Sequence, residues 1–125
     1  MVGKGKEKIK WQNEPEDHNY PAAKSYLNLL YEEDIVEHIV KDLINAKVVE
    51  FKAKDIFRAS KLSLLGISNS HVEKNFKKIE DGKKLSPILL VRDANTTSVI
   101  IADGYHRMCA VYNYDEDALI PCKIC

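Results

Sequence analysis

The sequence has no excess of charge of either sign, because nineteen Lys and Arg residues balance nineteen Asp and Glu residues. General binders of polyanions usually carry a clear basic excess, so any basic site must be local. Long apolar runs are also missing, and the strand-like runs 88–91 and 99–102 hold four apolar residues each. A transmembrane helix needs about 20 such residues, and a secretory signal about 7–15. We therefore expect a cytoplasmic protein with no membrane partner.

Cysteine is scarce, with three residues in all. An odd number without other signs of export does not indicate a disulfide framework, so reduced thiols are expected. Cys122 and Cys125 form a C-x-x-C motif, which elsewhere marks half of a zinc site or a redox pair. Here the alternation of residues 120–125 predicts a strand, in which side chains three positions apart point to opposite faces. We therefore predict neither a metal site nor a redox role for these cysteines.

The remaining composition predicts one domain. With 125 residues, of which 45% are hydrophobic, folding is expected to bury roughly two-thirds of the surface of the unfolded chain, enough for a core without a structural metal. Residues 1–16 carry four lysines and few apolar side chains, and we interpret them as a flexible arm. Residues 17–125 then form a single domain, with a helical extension at 17–46 and a core at 47–125.

Hydrophobic periodicity indicates an α+β fold with a small mixed β-sheet and flanking helices. The predicted strands are 48–51, 88–92, 99–102 and 120–125, and the predicted helices are 19–31, 33–44, 54–62, 70–81 and 105–113. We expect the two N-terminal helices either to cover one face of the sheet or to form a lid over a ligand site. In the second case Asp17, His18 and Tyr20 would lie at its edge.

The fourth predicted helix is the best marked of the five. Ser70 suits the N-cap, and Gly82 lies just past the end. The polar side of this helix is basic, and His71, Lys74 and Lys78 fall at i, i+3 and i+7 on one of its faces. This face is either a solvated surface or one wall of an anion site.

The segment Asp103-Gly104-Tyr105-His106-Arg107 is expected to carry the chemistry. It follows a predicted strand and opens a helix, so the free N–H groups of Tyr105, His106 and Arg107 point outward with the positive end of the helix dipole behind them. Gly104 allows both the sharp turn and the close approach of a ligand. Arg107 adds a guanidinium, which holds phosphate oxygens in a forked geometry. The arrangement predicts an anion site.

Two side chains of this segment each allow two interpretations. Asp103 either caps the helix or acts as a metal partner or proton acceptor. His106 is either a packed core histidine or a hydrogen-bond donor to a ligand. Because Asp, His and Arg crowd one helix N-terminus after a buried strand, we interpret the segment as a ligand site, with Asp103 and His106 as its catalytic candidates.

In the order of its parts, the stretch 48–124 resembles the ParB-like and sulfiredoxin-like domains. The shared parts are a strand, a helix ending near Gly82, Pro87-Ile88 entering a strand, a Gly-x-x-Arg-x-x-Ala motif from Gly104 to Ala110, and a closing strand with Ile120-Pro121.

That resemblance implies a bound nucleotide, namely ATP, ADP or CTP, with or without Mg²⁺. It also implies that the helix before the Pro-Ile strand faces the phosphates. The binding residues it implies are Gly104, Tyr105, His106, Arg107, His71, Lys74 and Lys78.

Departures from the family pattern narrow the function. Tyr105 occupies the position of the reactive cysteine of sulfiredoxins, which excludes sulfinic acid reduction by that route. No helix-turn-helix pattern follows the last strand, so we do not expect sequence-specific nucleic-acid binding. We predict a small domain that binds the phosphates of a small ligand, with phosphotransfer or nucleotide hydrolysis as its further activity. The alternatives are a protein-interaction module without enzymatic activity and a ParB-like nuclease or DNA-associated domain. Oligomeric state and nucleotide identity stay open.

Overall fold

The computed structural model describes residues 7–125, in which helices cover both faces of one β-sheet. In chain order the elements are α1 (Asn19–Leu27), α2 (Glu33–Asn45), β1 (Val49–Lys52), α3 (Ala53–Ser60), α4 (Ser70–Glu80), β2 (Ile88–Asp93), β3 (Ser98–Asp103), α5 (Tyr105–Tyr114) and β4 (Leu119–Ile124). The predicted α+β class with a small mixed sheet is confirmed. Within this part of the chain, no helix is both long enough and apolar enough to cross a membrane.

The sheet has the strand order β1-β4-β2-β3. β1 pairs antiparallel with β4, β4 pairs parallel with β2, and β2 pairs antiparallel with β3. The predicted hairpin of β2 and β3 is confirmed, and its turn is held by Asp93, whose carboxylate accepts hydrogen bonds from the Asn95 amide and the Thr96 hydroxyl. The hairpin thereby places Asp103, at the end of β3, beside the start of β2.

Two hydrophobic clusters lie on opposite faces of the sheet, because neighbouring residues of a strand point to opposite sides. Ile88 and Leu90 of β2 pack with α3, α4 and α5, whereas Leu89 and Val91 pack with α1 and α2. All four side chains are less than 5% exposed, so β2 is buried on both faces. The helical extension thus forms one outer layer, and the helices of the core form the other.

Residues 7–16 differ from the predicted flexible arm. The Trp11 backbone bridges Leu85 in parallel, with the Leu85 amide donating to the Lys10 carbonyl and the Gln12 amide donating to the Leu85 carbonyl. Ile9 and Trp11 also pack against the cluster beneath α4 and α5. Few apolar side chains are sufficient to order this segment, because its backbone hydrogen bonds to Leu85 hold it beside the residues that precede β2. The rest of the predicted arm, residues 1–6, lies outside the described residues.

Helix ends also differ from the predicted ones. The N-cap of α4 is Asn69 rather than Ser70, and its side-chain oxygen accepts hydrogen bonds from the His71 and Val72 amides. Asn and Ser are about equally good N-caps, so composition alone does not choose between them. Gly82 has a φ of 71° just past α4, as the C-terminal signal predicts.

The predicted helix over 19–31 ends at Leu27. Leu30 is therefore 46% exposed instead of buried, while Tyr31 packs at the edge of the cluster under α1 and α2. In α2 only Val36 and Leu43 are fully buried. The apolar stripe of the second predicted helix is thus narrower than its sequence pattern indicates.

Candidate functional site

A cavity of about 230 Å³ lies between α4 and the start of α5. It is lined by His71, Lys74, Asn75 and Lys78 of α4 and by Asp103, Gly104, Tyr105, His106 and Arg107. The structure thus brings together every site residue predicted from the sequence. Sequence reasoning missed Asn75, although it follows His71 by four positions and therefore shares its helical face.

The two N-terminal helices do not reach this cavity. They cover the face of the sheet to which Leu89 and Val91 point, whereas α4 and α5 cover the face to which Ile88 and Leu90 point. The lid interpretation is therefore wrong, and Asp17, His18 and Tyr20 are not in the lining of the cavity. The alternative interpretation, in which the extension covers one face of the sheet, is confirmed.

Gly104 makes the turn between β3 and α5 and is the N-cap of α5. Its φ is 112°, a region that residues with a Cβ rarely adopt, and a Cβ at this position would lie 2.7 Å from the Ile88 Cβ. The Met108 amide donates to the Gly104 carbonyl, but no side chain among residues 7–125 caps α5. The first amides of α5 consequently stay available at the cavity, with the positive end of the helix dipole behind them.

Asp103 does not cap α5, which corrects the capping interpretation. Its Oδ2 instead accepts a hydrogen bond of 3.0 Å from Nη2 of Arg107, one turn along the helix. The same Nη2 donates to the Pro87 carbonyl at 3.3 Å, and the Asp103 and Arg107 side chains are 18% and 16% exposed. The N-cap of α5 is Gly104, so Asp103 lies one residue before the capping position. Its carboxylate therefore meets the Arg107 guanidinium instead of the first amides of the helix.

The internal ion pair changes the role expected of Arg107. Nη2 is committed to protein acceptors, and Nε is buried with no hydrogen-bond partner among the described residues. Buried polar groups in folded proteins are nearly always satisfied, so the unpaired Nε is an exception, and Arg107 is held in place by the two acceptors of its Nη2. Asp103 also cancels much of the charge of Arg107, which leaves the net positive charge of the cavity to Lys74 and Lys78.

His71 and His106 form a pair across the cavity, with ring centroids 5.0 Å apart. His106 is half-buried in the lining and is therefore not a core histidine. Burial lowers the pKa of His106, and the neighbouring His71 lowers it further. At neutral pH the His106 ring is accordingly uncharged and offers one donor and one acceptor.

Lys74 and Lys78 lie on the α4 wall of the cavity. Neither ammonium forms an ion pair with any described residue. Both charges are therefore free to meet an anion in the cavity. Over residues 7–125, no three His, Cys, Asp or Glu side chains gather in a way that would hold a metal ion.

The Tyr105 hydroxyl is not free for a ligand. It donates a short hydrogen bond to the Ser63 carbonyl, and Nδ2 of Asn113 donates to the Leu65 carbonyl at 3.0 Å. Burial raises the pKa of Tyr105, so its hydroxyl stays protonated and keeps donating. These two side chains of α5 hold the loop that leads to Asn69, and the start of α4 is thereby fixed beside the start of α5.

The cysteines take no part in the cavity. Cys122 packs with α3 and α5 while Cys125 packs beside α2, so the two lie on opposite faces of β4 as predicted. Burial raises the pKa of Cys122 to about 12, and burial also raises the pKa of Cys109. Both thiols are thus protonated and unreactive at neutral pH.

No protein-family model, no curated protein and no solved structure matches this chain. Functional inference accordingly rests on the residues of the cavity.

Proposed function

We propose that this domain binds the phosphate groups of a nucleotide, or of a related small phosphorylated molecule, in the cavity between α4 and α5. One observation carries the proposal. Five cationic or protonatable side chains line a single cavity with a helix N-terminus, and among residues 7–125 only one carboxylate lines it with them. The five side chains are those of His71, Lys74, Lys78, His106 and Arg107.

The two walls of the cavity supply different kinds of contact. The α5 wall supplies uncapped backbone amides, which suit phosphate oxygens because they point outward at the positive end of the helix dipole. On the α4 wall, Lys74 and Lys78 supply unpaired charges, and phosphate is a good partner for such ammonium groups. The His106 ring supplies a directed hydrogen bond. An uncharged ligand would leave the charges of Lys74 and Lys78 without a counter-charge.

The size of the cavity limits which part of a nucleotide it holds. Sites that enclose a drug-sized ligand are about 300–1,000 Å³, whereas this cavity is about 230 Å³. The phosphate chain fits, and the base and sugar extend beyond the lining. We accordingly expect weak discrimination among ATP, ADP and CTP, since the cavity itself offers no apolar or aromatic slot for a base other than the rings of Tyr105 and the two histidines.

Turnover would use the second oxygen of the Asp103 carboxylate. Arg107 holds Oδ2, so Oδ1 is the atom that would take a proton from a hydroxyl or approach a magnesium ion. Because the protein supplies no further group of metal ligands within the described residues, magnesium would arrive with the phosphate oxygens. The order of elements from β1 to β4 supports extending the proposal to membership of the ParB-like and sulfiredoxin-like domains.

Thermal unfolding tests the binding step directly. ATP, ADP, CTP and pyrophosphate, each with and without Mg²⁺, are expected to raise the unfolding midpoint by several degrees, because ligand at a hundred times its Kd adds about 2.7 kcal/mol. The double variant Lys74→Ala and Lys78→Ala should remove most of this shift.

The matched control uses two lysines outside the lining, Lys77 and Lys83, which are exposed at and just past the same helix. Lys77→Ala with Lys83→Ala removes the same charge and should leave the ligand-induced shift intact. The proposal is wrong if no phosphate compound moves the midpoint, or if both double variants respond alike.

A further inference from the structure

The outer edge of the sheet at β1 is open. All four residues of β1 are exposed, including Val49 at 40% and Phe51 at 36%. In the pairing with β4, Glu50 lies opposite Pro121, which has no N–H to donate. The Ala53 amide donates to the Ala118 carbonyl one step further along the same register. Odd-numbered residues therefore face β4, and the backbone groups of Glu50 and Lys52 face outward.

Three of these four outward groups have no partner among the described residues, namely the amide and carbonyl of Glu50 and the amide of Lys52. The Lys52 carbonyl is engaged, because Lys52 is the N-cap of α3 and its carbonyl accepts the first hydrogen bond of that helix. Natural proteins protect edge strands by short length, charged side chains, bulges, prolines or covering segments, because an open edge pairs readily with another strand. β1 is short and carries Glu50 and Lys52, so a strand of unmatched charge is disfavoured. It has no bulge or proline and runs against β4 with an unbroken register, so it can accept a strand of complementary charge.

We propose that β1 pairs antiparallel with β1 of a second copy of this chain, across a twofold axis at Phe51. In this register Glu50 of each copy lies opposite Lys52 of the other, and the two Phe51 side chains face each other. The Lys52 amide of each copy donates to the Glu50 carbonyl of the other, so two backbone hydrogen bonds join the strands. Two four-stranded sheets thereby become one continuous sheet of eight strands.

The charge pattern of the strand selects this register and this partner. Moving the axis to Glu50 places the two Glu50 side chains opposite each other, and moving it to Lys52 does the same for Lys52. Opposite charges directly across a strand pair stabilise it and like charges destabilise it, by roughly 0.2–1 kcal/mol each. The charges of β1 are thus complementary to those of a second β1 only in the register with the twofold axis at Phe51. The contact is short, so we expect a weak dimer with a dissociation constant in the micromolar range or above.

Charge reversal in the full chain tests the register. Sedimentation equilibrium of the native chain is expected to show a monomer–dimer equilibrium. Glu50→Lys alone, or Lys52→Glu alone, should raise the dimer dissociation constant about tenfold, because each change creates two like-charge pairs. Combining both changes restores opposite charges and should return the constant to within about threefold of the native value.

Lys41→Glu on α2 is the matched control, since Lys41 is exposed on a different element, and it should leave the constant unchanged. Circular dichroism establishes that each variant is folded. A native chain that stays monomeric to millimolar concentration overturns the proposal. So does a dimer that ignores the single reversals, or one that the double reversal fails to restore.

Discussion

On one face of the sheet Lys123 is 4% exposed, and its ammonium donates to the Ile44 carbonyl at 2.8 Å and pairs with Glu14 at 3.2 Å. On the other face Arg107 is 16% exposed, pairs with Asp103 and keeps a buried Nε without a partner. Each site places one cation among apolar neighbours with one carboxylate. They differ in what surrounds the pair, because the Lys123 site joins three chain segments and the Arg107 site borders a cavity.

Lys123 holds chain segments of the fold together, whereas Arg107 lies beside the proposed anion site. Burial lowers the pKa of Lys123, but its hydrogen bonds to Tyr20 and Glu14 and their charges outweigh that effect and leave the pKa raised. A raised lysine pKa contributes stability at every pH below the ordinary value of about 10.4, and this stability is lost only as pH rises through the folded-state pKa. The Lys123 tether is thus constant across the physiological range.

The largest expected effect concerns the turn that builds the cavity. Gly104→Ala should destabilise the fold by about 3 kcal/mol, because the new Cβ meets the Ile88 side chain at a φ that alanine avoids. Gly82 also has a positive φ, but a Cβ there meets only Nζ of Lys10 at 3.5 Å. Gly82→Ala should therefore cost about 1 kcal/mol. Urea unfolding measures both, and equal losses would show that close packing at Ile88 does not set the turn.

The next effect compares the two ion pairs directly. Lys123→Ala should cost about 2 kcal/mol, since it empties a buried site and leaves the Ile44 carbonyl without its donor. Binding of pyrophosphate should be unchanged. Asp103→Asn should cost about 1 kcal/mol and should strengthen pyrophosphate binding several-fold, because it removes the one carboxylate that faces the cavity and frees Arg107.

Urea unfolding and calorimetric titration on the same two variants check this contrast. If Lys123→Ala weakens pyrophosphate binding as much as it weakens the fold, or if Asp103→Asn weakens binding, the assignment of the two cations is reversed.

Local signals predicted which residues would lie together at the α4–α5 cavity, because each part of the lining depends on nearby residues. The turn at Gly104 follows from one glycine between a β-branched strand and a helix, and the α4 wall follows from the spacing of His71, Lys74 and Lys78. The partner of Asp103 was missed, since a carboxylate just before a helix can either cap the amides or meet an arginine one turn on. That choice depends on the φ of Gly104, which sequence patterns do not report.

The structure differs most from the sequence-based predictions where contacts between distant parts of the chain decide the outcome. The segment at Lys10, Trp11 and Gln12 looks solvent-exposed by composition, yet it pairs with Leu85, more than seventy positions away. The sequence also did not decide which face of the sheet α1 and α2 cover, because the apolar residues of these helices fit either face. Both outcomes are decided by which face of β2 remains uncovered once α4 and α5 have packed, and no local pattern holds that information.

The smallest expected effect is a pH dependence confined to the cavity. Burial and the neighbouring His71 hold the pKa of His106 below its usual value, so unfolding takes up a proton near the ordinary pKa of about 6.5. The unliganded fold therefore loses stability as pH falls from 7.5 through this range. A bound anion favours the protonated ring, and anion affinity should rise over the same interval, by about threefold. The titratable and charged groups that share the cavity with His106 are His71, Lys74, Lys78 and the Asp103–Arg107 pair.

Sulfate is the suitable probe, since phosphate itself changes charge near pH 6. Calorimetric titration with sulfate should show tighter binding at pH 5.5 than at pH 7.5 with uptake of a proton, and His106→Asn should flatten this profile. His38→Asn removes an exposed histidine of α2 on the opposite face and should leave the profile unchanged. A profile that persists in His106→Asn, or one that disappears equally in His38→Asn, would assign the titration to a group other than His106 and would contradict the proposed role of His106.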